Sequence, residues 1–63
     1  MKDIFLIVQN SIKSNLTSKF DFNSDLAIAY IQSQLNCSKF DAVCTLEKTT
    51  QGDYYSFVLH YCS

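Results

Sequence analysis

The sequence predicts an α+β domain of ββαββ order: a four-stranded antiparallel sheet with one helix packed on one face. Three observations lead there. The last third alternates apolar and polar residues on both sides of a glycine-bearing turn. The first 22 residues can be folded into a second hairpin, and a capped segment of helical periodicity lies between the two.

The first hairpin spans Ile4 to Phe22. Lys13-Ser14-Asn15 reads as a three-residue loop with Asn15 in the left-handed position, which sets Ile12 opposite Leu16, Val8 opposite Phe20 and Leu6 opposite Phe22. Enrichment in β-branched residues and the strand character of Phe20-Asp21-Phe22 favour this reading. The same residues support a second one. Ile4, Ile7, Val8, Ile12 and Leu16 recur at helical spacing, so an amphipathic helix from Asp3 to Thr17 is the alternative.

The helix follows. Asn23-Ser24-Asp25 supplies cap residues for a run from Leu26 to Asn36, in which Ala27, Ile28, Ile31 and Leu35 form one apolar stripe. Leu26 and Tyr30 flank the stripe, Ala29, Gln32 and Ser33 lie away from it, and Asn36 terminates the helix before Cys37-Ser38.

The second hairpin pairs Phe40–Lys48 with Asp53–Cys62 across Thr49-Thr50-Gln51-Gly52. Its register sets Leu46 by Tyr55, Cys44 by Phe57, Ala42 by Leu59 and Phe40 by Tyr61 on the helix-covered face. Glu47 by Tyr54, Thr45 by Ser56, Val43 by Val58 and Asp41 by His60 occupy the other face.

The 63 residues allow a single domain, 1–63, and a chain so short buries only about 60% of its unfolded surface, so added support from association is expected. With 48% hydrophobic and 17% charged residues the composition is that of a globular domain. Net charge is -1, five lysines oppose six acids and arginine is absent. Phosphate neutralisation and bidentate base reading are both poorly supplied, which disfavours a nucleic-acid partner. The apolar run Ile4–Val8 is too short for a bilayer span and lacks a small-residue cleavage site, and three cysteines fit a reducing compartment. The expected location is the cytoplasm, that of the host if the chain is phage-encoded.

No catalytic constellation is read. His60, the single histidine, faces Asp41 as a cross-strand pair, and Gly52 stands alone rather than in a phosphate loop. Cys37, Cys62, His60 and Asp41 could make a four-ligand zinc set, but their spacing matches no compact motif. Cys44 therefore reads as a small core residue and Cys37 and Cys62 as free thiols, with a Cys37–Cys62 disulfide as the oxidised alternative. No cofactor and no metal is expected.

Surplus apolarity is the functional signal. With Leu6, Val8 and Ile12 turned to the helix, Phe5 and Ile7 project to the outer face of the sheet beside Val43, Tyr54 and Val58, rimmed by Asp41 and Glu47. These seven residues are the expected partner-binding surface, for another protein or for a second copy of the chain.

Two alternatives differ in architecture or partner. Read as helices, the chain threads as a helix-turn-helix DNA-binding regulator, with Ser38 capping a recognition helix through Glu47 and Gly52 opening a wing. Lys39 and Lys48 on that helix are opposed by Asp41 and Glu47. A homodimeric adaptor or structural protein is the other.

A very short, acidic, arginine-free chain with a hairpin over Ile4 to Phe22, a helix over Asp25 to Asn36 and a hairpin over Phe40 to Cys62 resembles the small anti-CRISPR and other anti-defence proteins of phages. The resemblance implies a non-catalytic inhibitor that occludes a surface of a host nuclease or surveillance complex. The modest acid count favours docking through apolar surface over mimicry of nucleic acid.

Overall fold

A computed structural model describes residues 3–62, and these residues form four α-helices and a closing π turn. They are α1 (Ile4–Lys13), α2 (Ser24–Leu35), α3 (Lys39–Thr50) and α4 (Tyr54–Phe57), which runs directly into a π-helical turn, Val58–Cys62. No strand forms among the described residues. The expected ββαββ sheet is therefore corrected to an all-helical bundle in which α1, α2 and α3 pack against one another and the π turn packs on α1.

Each helix begins on a short polar side chain, and this is where the sequence most plainly directs the fold. Asp3 accepts the Leu6 N–H at 3.1 Å, Asn23 that of Leu26 at 3.1 Å, Ser38 that of Asp41 at 3.1 Å and Asp53 that of Ser56 at 3.0 Å. The ends are equally specific. Asn36 closes α2 at φ 52°, as its sequence position suggested. Gln51 closes α3 at φ 57°, where its N–H bonds to the Lys48 carbonyl and the Gly52 N–H reaches back to Glu47. This paired closure needs left-handed backbone in sequence, and Gly52 supplies the second such residue at φ 73°. The glycine read as a hairpin turn is a helix stop.

The misreading of the C-terminal third has a definite cause. A helix face at i, i+4, i+8 is a subset of any even-numbered alternation, so Ala42, Leu46 and Thr50 satisfy both patterns. Only the intervening residues discriminate: Phe40 is 74% exposed and Cys44 half-buried, which a core-facing strand would not permit. In the last segment the buried residues are Phe57, Val58 and Cys62, while Tyr55, Leu59 and Tyr61 face outward. That spacing is helical.

At the N-terminus the helical alternative is the one adopted. Ile7, Val8, Ser11 and Ile12 form the buried face of α1, and Leu6 is exposed instead of facing Phe22. The helix stops at Lys13 rather than Thr17, because the chain turns into a loop whose ends are tied by Thr17 N–H to Asp21 O at 3.0 Å and Asn23 N–H to Asn15 O at 2.8 Å. A single antiparallel bridge forms in this stretch, Leu16 with Phe22, a pairing that the expected hairpin did not contain.

The core sits where the three long helices and the last turn converge, on Val8, Ile12, Ala27, Ile31, Ala42, Leu46, Phe57 and Val58. Ala27 and Ala42 are fully buried, placing small side chains where α2 and α3 meet the core. The two buried hydroxyls are satisfied within their own helices: Ser11 Oγ donates to Val8 O at 2.7 Å and Thr50 Oγ1 to Leu46 O at 2.8 Å. Gln9 pins the C-terminal turn by donating its amide to the Tyr61 carbonyl at 2.6 Å.

Candidate functional site

The first turn of α1, the end of α3 and the α4–π segment enclose a cleft of about 380 Å³. Phe5 comes from α1, Thr49, Thr50 and Gln51 from the end of α3, Asp53 from the connecting turn, and Ser56, Phe57, His60 and Tyr61 from the last segment. Their i, i+4 spacing sets Ser56 and Phe57 in line with His60 and Tyr61 on one wall. Three of the rings are packed together: Phe5 meets Tyr61 edge-on at 5.0 Å, Phe57 lies 5.5 Å from Phe5, and Phe57 and Tyr61 are 5.0 Å apart. The apolar floor thus joins the two ends of the chain, and Asp53 places a carboxylate among the hydroxyls and amide of the rim.

Asp53, Ser56 and His60 are residue types that serve together in acyl transfer, but here they are not wired for it. One Asp53 oxygen is engaged by the Ser56 N–H as a helix cap, and among the described residues no hydrogen bond joins His60 to either partner.

Comparison with protein-family models, curated proteins and solved structures finds no match to this chain.

The residues expected to form one binding face are dispersed by the helical fold. Ile7 and Val58 are core residues, Val58 being 0% exposed, and Val43 is half-buried on α3. Asp41 and Glu47 are exposed near the two ends of α3. Phe5 alone of the seven lines the cleft. With no sheet among the described residues there is no outer sheet face, and the seven residues do not form one surface. One expected pairing survives on different grounds: the Tyr54 hydroxyl donates to Glu47 Oε1, across the α3–α4 turn rather than across a hairpin. Burial and this neighbouring carboxylate push the Tyr54 phenol up to about 12.

The alternative constellations also come apart. His60 lies in the cleft by the C-terminal end of α3 while Asp41 stands in its first turn, so the two are not a pair. Cys37 sits between α2 and α3 and Cys62 is buried against α1, its Sγ 3.8 Å from Gln9 O. All three cysteines are free, and among the described residues no three His, Cys, Asp or Glu side chains are grouped to hold a metal.

The helix-turn-helix threading is matched in element order. The turn Asn36-Cys37-Ser38 links α2 to α3, Ser38 caps α3, and α1 packs on both. No wing follows; Gly52 leads into α4. Sequence reasoning missed the cleft because its lining comes from residues 5, 49–51, 53, 56, 57, 60 and 61, and only the fold brings the first of these to the rest.

Proposed function

We propose that this chain is a small non-catalytic protein-binding module that works by covering a partner's surface, as an inhibitor or adaptor. The observation that carries the reading is exposed apolar surface on the two segments that meet at the cleft: Phe5 and Tyr61 line it, and Ile4 and Leu6 on the first turn of α1 and Leu59 on the π turn add to it, each of the five being 41–49% exposed. Aliphatic and aromatic side chains around a pocket are the usual anchors of a protein interface. No helix is long and apolar enough to cross a membrane among the described residues, so a bilayer core does not account for these side chains. A cytoplasmic setting suits a chain with three unpaired thiols. The likeness to anti-defence proteins rested on a ββαββ order that the chain does not adopt, so the kind of partner is left to the cleft's own chemistry.

The test is reconstitution. A partner isolated from the source cell and purified is titrated with the parent chain and with Leu6→Glu. Leu6 is 49% exposed and lies in the first turn of α1, where a carboxylate favours the helix, so the variant keeps its fold. A loss of tenfold or more in affinity is expected; equal affinity for both chains refutes this surface.

The α2–turn–α3 unit with its Ser38 cap favours a second reading, a DNA-binding regulator. The exposed charges of α3 are Lys39 and Lys48 against Asp41 and Glu47, which leaves no net attraction for phosphate. Titration of duplex DNA at low and moderate salt separates the two readings, and no binding at moderate salt is expected.

A further inference from the structure

We infer that the cleft receives a cationic side chain, an arginine of the partner protein, so that the module recognises a basic segment; this rests on the protein-binding reading above. Three features of the cleft agree in sign. Asp53 contributes a carboxylate whose capping duty engages one oxygen and leaves the other, while among the described residues no lysine lines the cleft. Thr49, Thr50 and Gln51 bring in the C-terminal end of the 12-residue α3, the negative pole of its dipole. The packed rings of Phe5, Phe57 and Tyr61 offer π surface, which attracts a guanidinium. Two features oppose a cation there: His60, which shares the π-turn wall with Tyr61, and the positive N-terminal pole of α1, whose first turn contributes Phe5 and which the Asp3 carboxylate caps. A volume of about 380 Å³ is at the small end for ligand sites and suits one long side chain rather than a whole cofactor.

Charge complementarity selects the occupant over the alternatives. A second copy of this chain offers only lysines, compact ammonium charges without the planar face that stacks on the rings, and nucleic acid would set phosphates against Asp53 and the end of α3. An acidic or purely apolar peptide would leave the carboxylate without a partner.

The experiment is an amide NMR titration of the intact chain with three end-blocked tripeptides, Gly-Arg-Gly, Gly-citrulline-Gly and Gly-Glu-Gly. Citrulline keeps the shape of arginine and removes its charge. The arginine peptide is expected to shift the amides of Phe5, Gln51, Ser56 and Tyr61 saturably in the millimolar range, and the other two to bind at least tenfold more weakly. Asp53→Asn keeps a good helix cap, so its melting temperature should match the parent while arginine binding falls to the citrulline level. Equal response to all three peptides, absence of any saturable shift, or full arginine binding by Asp53→Asn overturns the inference. Should that happen while a purified partner still discriminates against Leu6→Glu, the cationic occupant is wrong and the protein-binding reading stands; loss of both removes the reading itself.

Discussion

Replacing Val58 by lysine should unfold this protein, whereas replacing Phe40 by lysine should leave it intact. Val58 is 0% exposed and stands where the π turn meets the core, and Phe40 is 74% exposed on the first turn of α3. A domain of 63 residues has a total stability of roughly 3–9 kcal/mol at the usual value per residue. An ammonium forced into the Val58 site costs several kcal/mol even after relaxation, comparable with that whole margin. The milder Val58→Ala removes two buried methyl groups and leaves a cavity, for about 2–3 kcal/mol. In a domain of this size that lowers the melting temperature by roughly 10–20 °C. Phe40→Lys changes a solvated position and should stay within about 0.5 kcal/mol of the parent. Thermal melts followed by far-UV circular dichroism read all three. A folded Val58→Lys, or a Phe40→Lys that melts as low as Val58→Ala, would refute the packing, since a sheet with Phe40 on its covered face requires that reversal.

Two further outcomes follow from side-chain environments. Tyr54 holds its proton up to about 12 in the folded chain against 10.0 for the free phenol, so the folded state binds more protons between those values. Stability contributed through this group is therefore intact below pH 10.0 and falls as pH rises toward about 12, and alkaline denaturation of Tyr54→Phe should show a shallower slope there. Burial raises the Cys62 thiol, an effect that Lys13 only partly offsets, while Cys37 and Cys44 are half-buried. Iodoacetamide should then modify Cys37 and Cys44 in the native protein and Cys62 only after denaturant is added, as read by peptide mass; early modification of Cys62 would mean that the π turn detaches from α1.

The sequence by itself determined the local signals. Asn23 and Asn36 bracket α2 because short polar side chains satisfy free N–H groups at one end and tolerate left-handed backbone at the other, and neither effect needs tertiary contacts. The stripe Ala27, Ile28, Ile31 and Leu35 is buried or half-buried as its spacing required, and the helical reading of Ile7, Val8 and Ile12 is the one realised. What tertiary structure decided is which period the ambiguous segments obey. Between Phe40 and Thr50 the burial of every second even residue fits helix and strand alike, and propensities of a few tenths of a kcal/mol do not choose between them. Packing α3 across α1 and α2 does choose, because it buries Ala42, Leu46 and Thr50 together and lets Phe40 go to solvent. The cleft belongs wholly to that second level. Phe5 meets Phe57 and Tyr61 only because α1 and the π turn close on each other, and no pattern within either segment announces a contact across more than 50 residues.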